Sequence, residues 1–380
     1  MGDCLERHSN KNNQCINSNV LHIGSCQNNK SKLSTLYQSA ELTVASYAIL
    51  RKRKELAQTL VIPTDSISSI NNAELIGRAY LKWGLDFAQY LDGDFAFFIY
   101  DSVNEQLLCG RDPMGNFPLY YNNNSDRLLF SSQIKAIKAT GLAGQKVNRE
   151  RLAAIAAGHF KLDKSITFYQ DVQSFLPGHI AIINKTEIRQ HCYWQIDSDA
   201  RLPFKSNEDT LDAFRHLLSD TINSFFQPEY KVGSLLSGGL DSSAIVSIAA
   251  TNENAVNPQS PLTTFSTVPF ESNAQQASSD SKFLGLYKDN PNVTLNWIND
   301  QNAGPLSNLT SLIEHMQSPL CMVSHYHYQL FGQAADDHGL DIVLDGVNGE
   351  LGATYNATPF FRELLVSGRW STLLLSLIHI

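Results

Sequence analysis

The sequence predicts two domains of different class, a β-rich α+β domain followed by an α/β domain with a parallel sheet. Three observations lead to this prediction. The length of 380 residues is comfortable for two domains. Short apolar runs separated by Asp, Asn and Gly turns fill residues 94–131, which is typical of antiparallel strands. Beyond residue 208 strands alternate with helices, and this alternation favours crossover connections and parallel strands.

The first domain is expected to begin irregularly, because residues 1–35 are rich in Asn, Ser and Lys and show no sustained period. Residues 41–60 read as a strand running into a helix. Asn71 and Asn72 then cap a helix over residues 73–83. The later elements are strands at 94–101, 106–109, 119–121, 128–131 and 178–183, and a helix at 149–157 capped by Asn148.

The second domain is expected to begin after a polar stretch near residues 200–208, where we place the domain boundary. Its expected helices are residues 211–226, 242–250, 275–286, 306–316 and 325–336. Its expected strands are residues 232–236, 262–267, 293–297 and 342–344. Residues 363–380 read as a helix that ends without a cap, so the sequence suggests a truncated C-terminus.

The composition excludes some classes of protein. Hydrophobic residues make up 43% and charged residues 17%, with a net charge of −8. This balance argues against nucleic-acid binding and against a polybasic membrane surface, since phosphate contacts need clustered Lys and Arg. The longest apolar stretch, residues 373–380, is too short to span a bilayer. Without a C-x-x-C pair or a signal-peptide pattern, we expect reduced thiols and a cytoplasmic protein.

The strongest motif is SGGLDSS at residues 237–243, between an apolar strand and a helix. Two glycines let the backbone approach an anion, and the start of the helix adds positive partial charge. The hydroxyls of Ser237, Ser242 and Ser243 can donate to phosphate oxygens. Asp241 fits such a site when a divalent cation lies between its carboxylate and the phosphate. The motif therefore predicts a nucleotide-phosphate site.

SGGLDSS resembles the pyrophosphate loop of the asparagine synthetase family, a branch of the ATP-pyrophosphatase superfamily. Residues 90–97 (YLDGDFAF) and 110–121 (GRDPMGNFPLYY) look like that family's N-terminal signature, and residues 175–179 (FLPGH) with Tyr193-Trp194 resemble the end of its first domain. The resemblance implies an Ntn-type αββα sandwich, glutaminase-like, over residues 1–200. An α/β parallel-sheet ATP-pyrophosphatase domain over residues 205–380 would follow it.

The resemblance also implies ATP and Mg²⁺, with a carboxylate activated as an acyl-adenylate that ammonia or an amine attacks. Carried over by position, the nucleotide-binding residues are Ser237, Gly238, Gly239, Asp241, Ser242, Ser243, Phe265, Ser266 and Gly346. The implied Mg²⁺ ligands are Asp241 and Glu350. No catalytic residue is assigned.

Two departures from the family pattern narrow this expectation. Val347 replaces a residue that is Glu in asparagine synthetases and Tyr in β-lactam synthetases, so the usual recognition of aspartate is not expected. The family's N-terminal nucleophile is the Cys of Met-Cys-Gly, whereas the Cys nearest the start here is Cys4. We therefore expect a first domain that does not hydrolyse glutamine.

Three functional readings stay open. The first is an asparagine synthase (glutamine-hydrolysing)-like ligase, the second a lasso-peptide macrolactam cyclase or β-lactam synthetase-like enzyme, and the third a non-catalytic ATP-binding remnant. The expected partner is a small-molecule or peptide carboxylate. A precursor peptide and a homodimer are left open, and a truncated chain would be inactive.

Three further groups of residues are not assigned a functional role. His325 and His327 are too far apart around a helix to form a metal pair. Residues 51–54 (RKRK) read as a solvated basic face. Asp280, near the family's substrate side, lacks a second carboxylate beside it, so a functional role for it is not favoured.

Overall fold

The computed structural model describes residues 12–17, 22–27, 33–124, 127–159, 163–184, 187–197, 199–200, 203–204, 206–252, 256, 258–268, 283–299, 303–318, 325–349, 354 and 364–371. Contacts divide the chain into two compact units. One unit comprises Met1–Lys231 with Gln301–Asp341, and the other comprises Val232–Asp300 with Ile342–Ile380. The predicted boundary between residues 200 and 205 stays a prediction.

The strands in chain order are β1 (Asn12–Asn17), β2 (His22–Gln27), β3 (Ser34–Gln38), β4 (Leu42–Leu50), β5 (Gly93–Asp101), β6 (Gln106–Arg111), β7 (Tyr120–Asn124), β8 (Arg127–Ser131), β9 (Gln173–Ser174), β10 (His179–Ile183), β11 (Ile188–Cys192), β12 (Val232–Leu235), β13 (Leu262–Val268), β14 (Val293–Asn299) and β15 (Ile342–Leu344). The helices are α1 (Arg53–Thr59), α2 (Asn72–Trp83), α3 (Ile134–Ala139), α4 (Arg149–Ala156), α5 (Asn207–Asn223), α6 (Leu240–Ala250), α7 (Leu309–Met316) and α8 (His325–Asp337).

The first unit is built on a six-stranded antiparallel sheet with the order β11-β10-β6-β5-β4-β3. Alternate residues of β5 separate its two faces, as the period of a strand requires. Phe95 and Phe97 are fully buried on the face that packs against Leu75 and Ile76 of α2. Ala96 lies on the opposite face, in a second apolar cluster. The sheet is therefore covered on both sides.

The second face of this sheet packs against the three-stranded sheet β8-β7-β9. The buried residues of the cluster between the two sheets include Ala96, Leu119 and Phe175. The outer face of the smaller sheet packs against Ile134 and Ile137 of α3. The layers run helix, sheet, sheet, helix, which confirms the predicted αββα sandwich.

The second unit holds a four-stranded parallel sheet with the order β14-β13-β12-β15. Helix α6 connects β12 to β13, as expected for a parallel pair. Because parallel strands end at one edge of a sheet, the segments after β12 and β15 are brought together there. This arrangement confirms the predicted α/β parallel sheet.

One expectation about the first unit is wrong. Residues 1–35 are not irregular throughout, since β1 and β2 form an antiparallel hairpin in register from Asn12 opposite Gln27 to Asn17 opposite His22. Backbone hydrogen bonds hold such a pair, so an Asn-rich sequence without apolar alternation gives little sign of it. Two predicted helices of the second unit, at 275–286 and 363–380, lie largely outside the described residues. Their described parts contain helical residues at 283–284 and 364–366 and the 3-10 turn Gly285–Tyr287.

The basic run at residues 51–54 is not wholly a solvated face. Arg53 is buried, with 3% of its surface exposed. Its guanidinium donates to the carbonyl of Ile70 at 2.6 Å and to the side chain of Asn72, and it lies 3.6 Å from the Glu229 carboxylate. The acceptors come from distant parts of the chain, so the local charge pattern could not reveal them. In the described ranges, none of the helices is both long and apolar enough to cross a bilayer.

Candidate functional site

The SGGLDSS loop leaves the parallel sheet at the end of β12 and is anchored to β13. Leu236, the residue before the motif, donates its backbone N–H to the carbonyl of Phe265 at 2.9 Å. The Ser266 hydroxyl donates to the carbonyl of Leu236. Phe265 and Ser266 are both buried, so their side chains hold the loop to the sheet rather than face solvent. The loop therefore starts from a fixed point.

Hydrogen bonds between the loop and the first turn of α6 fix the path of the loop. The hydroxyls of Ser237 and Ser242 are 3.0 Å apart, and the Ser237 N–H donates to the Ser242 hydroxyl at 3.2 Å. The Gly239 N–H donates to the Ser237 hydroxyl at 3.2 Å. The Ser242 side chain is buried, so it serves the loop itself. Ser237 is exposed and Ser243 is half-buried, and their contact with a phosphate stays a prediction.

Two glycines give the loop its shape. Gly238 has a φ of +88°, in the left-handed region that favours glycine. Gly239 takes the N-cap position of α6 in an extended conformation and has no side chain to cap the helix. The N-cap residue therefore leaves the first backbone N–H groups of α6 without a side-chain cap, and such a helix start attracts anions. Ser243, one turn into α6, donates its N–H to the carbonyl of Gly239 at 3.0 Å.

Asp241 is half-buried in the first turn of α6 and contacts the segment after β15. The Thr354 hydroxyl lies 3.0 Å from Oδ1 and 3.1 Å from Oδ2 of its carboxylate. A β-carbon added to Gly349 would overlap the same carboxylate, and one added to Gly346 would lie 2.8 Å from Asp241 Cβ and 2.7 Å from the Ser242 nitrogen. Gly346 thus permits the close approach of this segment to the helix start.

The predicted site residues separate into three groups. The loop residues Ser237, Gly238, Gly239, Asp241, Ser242 and Ser243 lie together with Gly346 at the sheet edge. Phe265 and Ser266 are adjacent but buried beneath the loop.

Glu350, Asp280 and Cys4 lie outside the described residues. The sequence analysis assigned no role to Gly349 and Thr354, which lie close after Gly346 and Val347 in the chain. Only the fold brings them to Asp241.

The donor atoms at this edge fit a phosphate with a hard divalent cation. Backbone N–H groups at the start of α6 suit phosphate oxygens, and a carboxylate beside them suits Mg²⁺. Among the described residues, no group of three His, Cys, Asp or Glu side chains gathers as a metal cage. Mg²⁺ is usually held by one or two carboxylates together with substrate phosphates and water, so a single Asp241 fits that mode.

The RDPMGN motif of the first unit forms a turn around a buried carboxylate. Asp112 is fully buried and accepts the backbone N–H groups of Gly115, Asn116 and Phe117, the last two at 3.0 and 3.1 Å. Arg111 donates to the carbonyl of Phe117 at 2.6 Å. The motif thus shapes a loop from within.

Other carboxylates of the first unit differ in the number of hydrogen bonds that they accept. Asp101 accepts hydrogen bonds from Tyr80, Val103 and Asn104. Burial alone would raise its pKa, but these hydrogen bonds outweigh burial and lower it. Burial, with help from Asp101, raises the pKa of Tyr80 to about 12. Burial raises the pKa of Asp94, for which the Asn116 amide is a donor at 2.9 Å.

Two family models match the chain in the order that its motifs indicate. The glutamine amidotransferase domain model matches residues 45–194, and the asparagine synthase model matches residues 213–359. The chain belongs to the asparagine synthetase family. The first matched range covers the αββα sandwich except β3 and the start of β4, and the second includes the SGGLDSS loop.

The curated relatives of this chain include asparagine synthetases. Asparagine synthetase (glutamine-hydrolyzing) 3 of Bacillus subtilis is 27% identical over 257 residues, 67% of this chain and 41% of its own length. Putative asparagine synthetase (glutamine-hydrolyzing) 2 of Methanocaldococcus jannaschii is 31% identical over 47% of this chain and 35% of its own. The chain spans less than half the length of either relative.

A solved structure also aligns with the chain. Glutamine phosphoribosylpyrophosphate amidotransferase from B. subtilis has a TM-score of 0.31 and 16% identity to it, over 60% of this chain and 48% of its own.

Proposed function

We propose that this chain forms amide bonds by using ATP to activate a carboxylate, which ammonia or an amine then attacks. The observation that carries the proposal is the SGGLDSS loop at the carboxyl end of β12. Its glycine-shaped backbone leads into the start of α6, and the Asp241 carboxylate lies in the first turn. This combination suits a nucleoside triphosphate accompanied by a divalent cation. Membership of the asparagine synthetase family supports the same reaction class.

In the proposed reaction, the loop and the start of α6 bind the β- and γ-phosphates of ATP. An oxygen of the substrate carboxylate attacks the α-phosphorus, the bond from that phosphorus to the bridging oxygen breaks, and pyrophosphate leaves with the electron pair. The nitrogen of ammonia or an amine then attacks the carbonyl carbon of the acyl-adenylate. AMP leaves and the nitrogen loses a proton. The exposed Ser237 hydroxyl is placed to donate to the departing pyrophosphate.

The proposed cation site consists of Asp241 and, from the sequence, Glu350. Mg²⁺ bound there would neutralise part of the phosphate charge, which grows as pyrophosphate leaves. Gly346 and Gly349 leave room for the Asp241 carboxylate, since a β-carbon at either position would press on Asp241. The side chains of Phe265 and Ser266 are buried. We therefore propose that this part of β13 contacts the adenine through its backbone.

The substrate is proposed to be a carboxylate other than free aspartate. Val347 follows β15 with 56% of its surface exposed, at the position where the family places Glu or Tyr. An exposed valine accepts no hydrogen bond from an α-amino group, whereas it suits an apolar neighbour such as a peptide side chain. This observation favours the cyclase-like reading, in which a peptide carboxylate is joined to an amine.

Exchange of labelled pyrophosphate into ATP tests the proposal, because the first step is reversible. We expect the full chain with Mg²⁺ to catalyse exchange that depends on a carboxylate, with peptides bearing Asp or Glu side chains more effective than aspartate. Asp241→Asn should abolish the exchange, and Asp289→Asn, in the same unit, should not. ATP binding without exchange from any carboxylate would overturn the proposal and support an ATP-binding protein without ligase activity.

A further inference from the structure

The Asp241 carboxylate is held by a residue that neither the motif nor the family match assigns. The Thr354 hydroxyl approaches both carboxylate oxygens almost equally, at 3.0 and 3.1 Å. Thr354 is itself tied to the segment after β15, because its backbone N–H donates to the carbonyl of Gly349 at 3.2 Å. Gly349 in turn donates its N–H to the carbonyl of Gly346, also at 3.2 Å. These two hydrogen bonds link Thr354 through Gly349 to Gly346.

Contacts on other sides also limit where the carboxylate can go. The Cα of Gly349 faces the Asp241 carboxylate so closely that no β-carbon fits between them. Gly346 packs on the backbone of Asp241 and Ser242. The carboxylate thus lies between the start of α6, Gly349 and the Thr354 hydroxyl. Such confinement costs side-chain entropy during folding rather than when a ligand binds.

A hydroxyl is suited to orienting a carboxylate that must still bind a cation. Thr has one O–H to donate, whereas an ionised carboxylate offers about four lone-pair sites. Even a hydrogen shared between both oxygens leaves most of these sites for other partners. A neutral donor also leaves the negative charge intact, which Lys or Arg in the same place would offset.

We propose that Thr354 is a positioning residue, which orients the Asp241 carboxylate toward the divalent cation that accompanies ATP. This inference rests on the proposed function of the loop. It assigns a role to a residue 113 positions beyond Asp241. The role is indirect, since Thr354 acts through Asp241. Positioning contacts of this kind typically change metal affinity about 10–100-fold when they are removed.

The test separates cation affinity from nucleotide affinity. Mn²⁺ replaces Mg²⁺, and free Mn²⁺ is followed by electron paramagnetic resonance during titration of the full chain at fixed ATP. ATP binding without metal is measured by calorimetry. The variants are Thr354→Val, which removes the hydroxyl at nearly constant volume, and Thr354→Ser, which keeps it. Thr251→Val is the matched control, because among the described residues the Thr251 hydroxyl bonds the last turn of α6, at the carbonyl of Ile248.

We expect Thr354→Val to weaken Mn²⁺ binding about 10–100-fold in the presence of ATP. Metal-free ATP binding should change by less than about twofold, because the backbone N–H groups of the loop are untouched. Thr354→Ser and Thr251→Val should bind Mn²⁺ like the parent chain. Rescue by serine would assign the effect to the hydroxyl.

Three results would overturn the inference. Unchanged Mn²⁺ affinity in Thr354→Val, with loss in Asp241→Asn, would leave the proposed function intact and remove only the role of Thr354. Equal loss of ATP binding with and without metal would mean that Thr354 supports the loop fold, and thermal unfolding of Thr354→Ala would check this. Failure of the parent chain to bind ATP or Mn²⁺ would overturn the proposed function and this inference with it.

Discussion

Asp112 and Asp241 each lie in a polar sequence motif, one in each unit, but their carboxylates have different surroundings. Asp112 is fully buried, and its oxygens accept three backbone N–H groups of its own turn. Asp241 is half-buried, and within the described ranges its hydrogen bonds come from the hydroxyl of Thr354. A carboxylate saturated by local amides shapes a loop, whereas one with a single neutral donor keeps capacity for a cation.

The comparison has a consequence for reading motifs. The RDPMGN segment and the SGGLDSS segment are both polar and both contain turn residues. In the first, Asp112 is part of the fold. In the second, the serines partly serve the loop, and Asp241 faces the sheet edge where a ligand would bind. Counting the donors that reach each carboxylate separates the two roles.

The largest expected effect comes from Asp112→Ala. Removing the carboxylate leaves three N–H groups without their acceptor, so we expect a loss of about 3–5 kcal/mol in the free energy of unfolding. Urea unfolding of the parent and the variant measures it. Asp86→Ala, an exposed aspartate of the same unit, should change stability by less than about 0.5 kcal/mol. Equal, small losses in both variants would contradict the structural role of Asp112.

A smaller effect is expected from Asp241→Asn, and on binding rather than on folding. The amide keeps the shape of the side chain but removes the charge that a divalent cation needs. We expect affinity for Mg·ATP to fall at least about tenfold, or about 1.4 kcal/mol, with the urea midpoint nearly unchanged. Calorimetric titration with Mg·ATP measures the affinity. Equal affinity of parent and variant would place the cation elsewhere.

The smallest expected effect concerns Asp101 and depends on pH. Its pKa is lowered in the folded state, because hydrogen bonds from Tyr80 and Asn104 outweigh its burial. Its stabilising contribution is therefore complete above the unfolded pKa of about 3.9, and it is lost as pH falls through the lowered folded value. Asp101→Asn should cost about 1 kcal/mol at pH 7 and less at pH 3. Urea unfolding across this pH range measures the difference, and a constant cost would contradict the linkage.

Much of the fold could be predicted because its signals are local. The strand before Ser237, the helix after it and the alternation of Phe95 and Phe97 along β5 can all be read from neighbouring residues. The family motifs placed both domain types in the right order. The proposed phosphate loop is indicated by seven consecutive residues.

What the sequence did not reveal depends on contacts between distant residues. Arg53 sits in a basic run, and its burial follows from acceptors at Ile70, Asn72 and Glu229. The β1–β2 hairpin is held by backbone pairing, and an Asn-rich sequence gives no apolar alternation that would predict it. Thr354 reaches Asp241 because β15 lies beside β12, a pairing between strands 110 positions apart. No local pattern encodes these contacts.

The pairing of β12 with β15 also sets an order of events during synthesis. Asp241 precedes Thr354 by 113 residues, so at typical elongation rates it is made roughly 5–25 s earlier. Through that interval the newborn loop has its own serines and glycines but lacks the hydroxyl that faces its carboxylate. Among the described strands of this sheet, β15, which precedes Thr354 in the chain, is the last to be synthesised. A ribosome-bound chain stalled before residue 354 would therefore display the motif without the hydroxyl that faces Asp241.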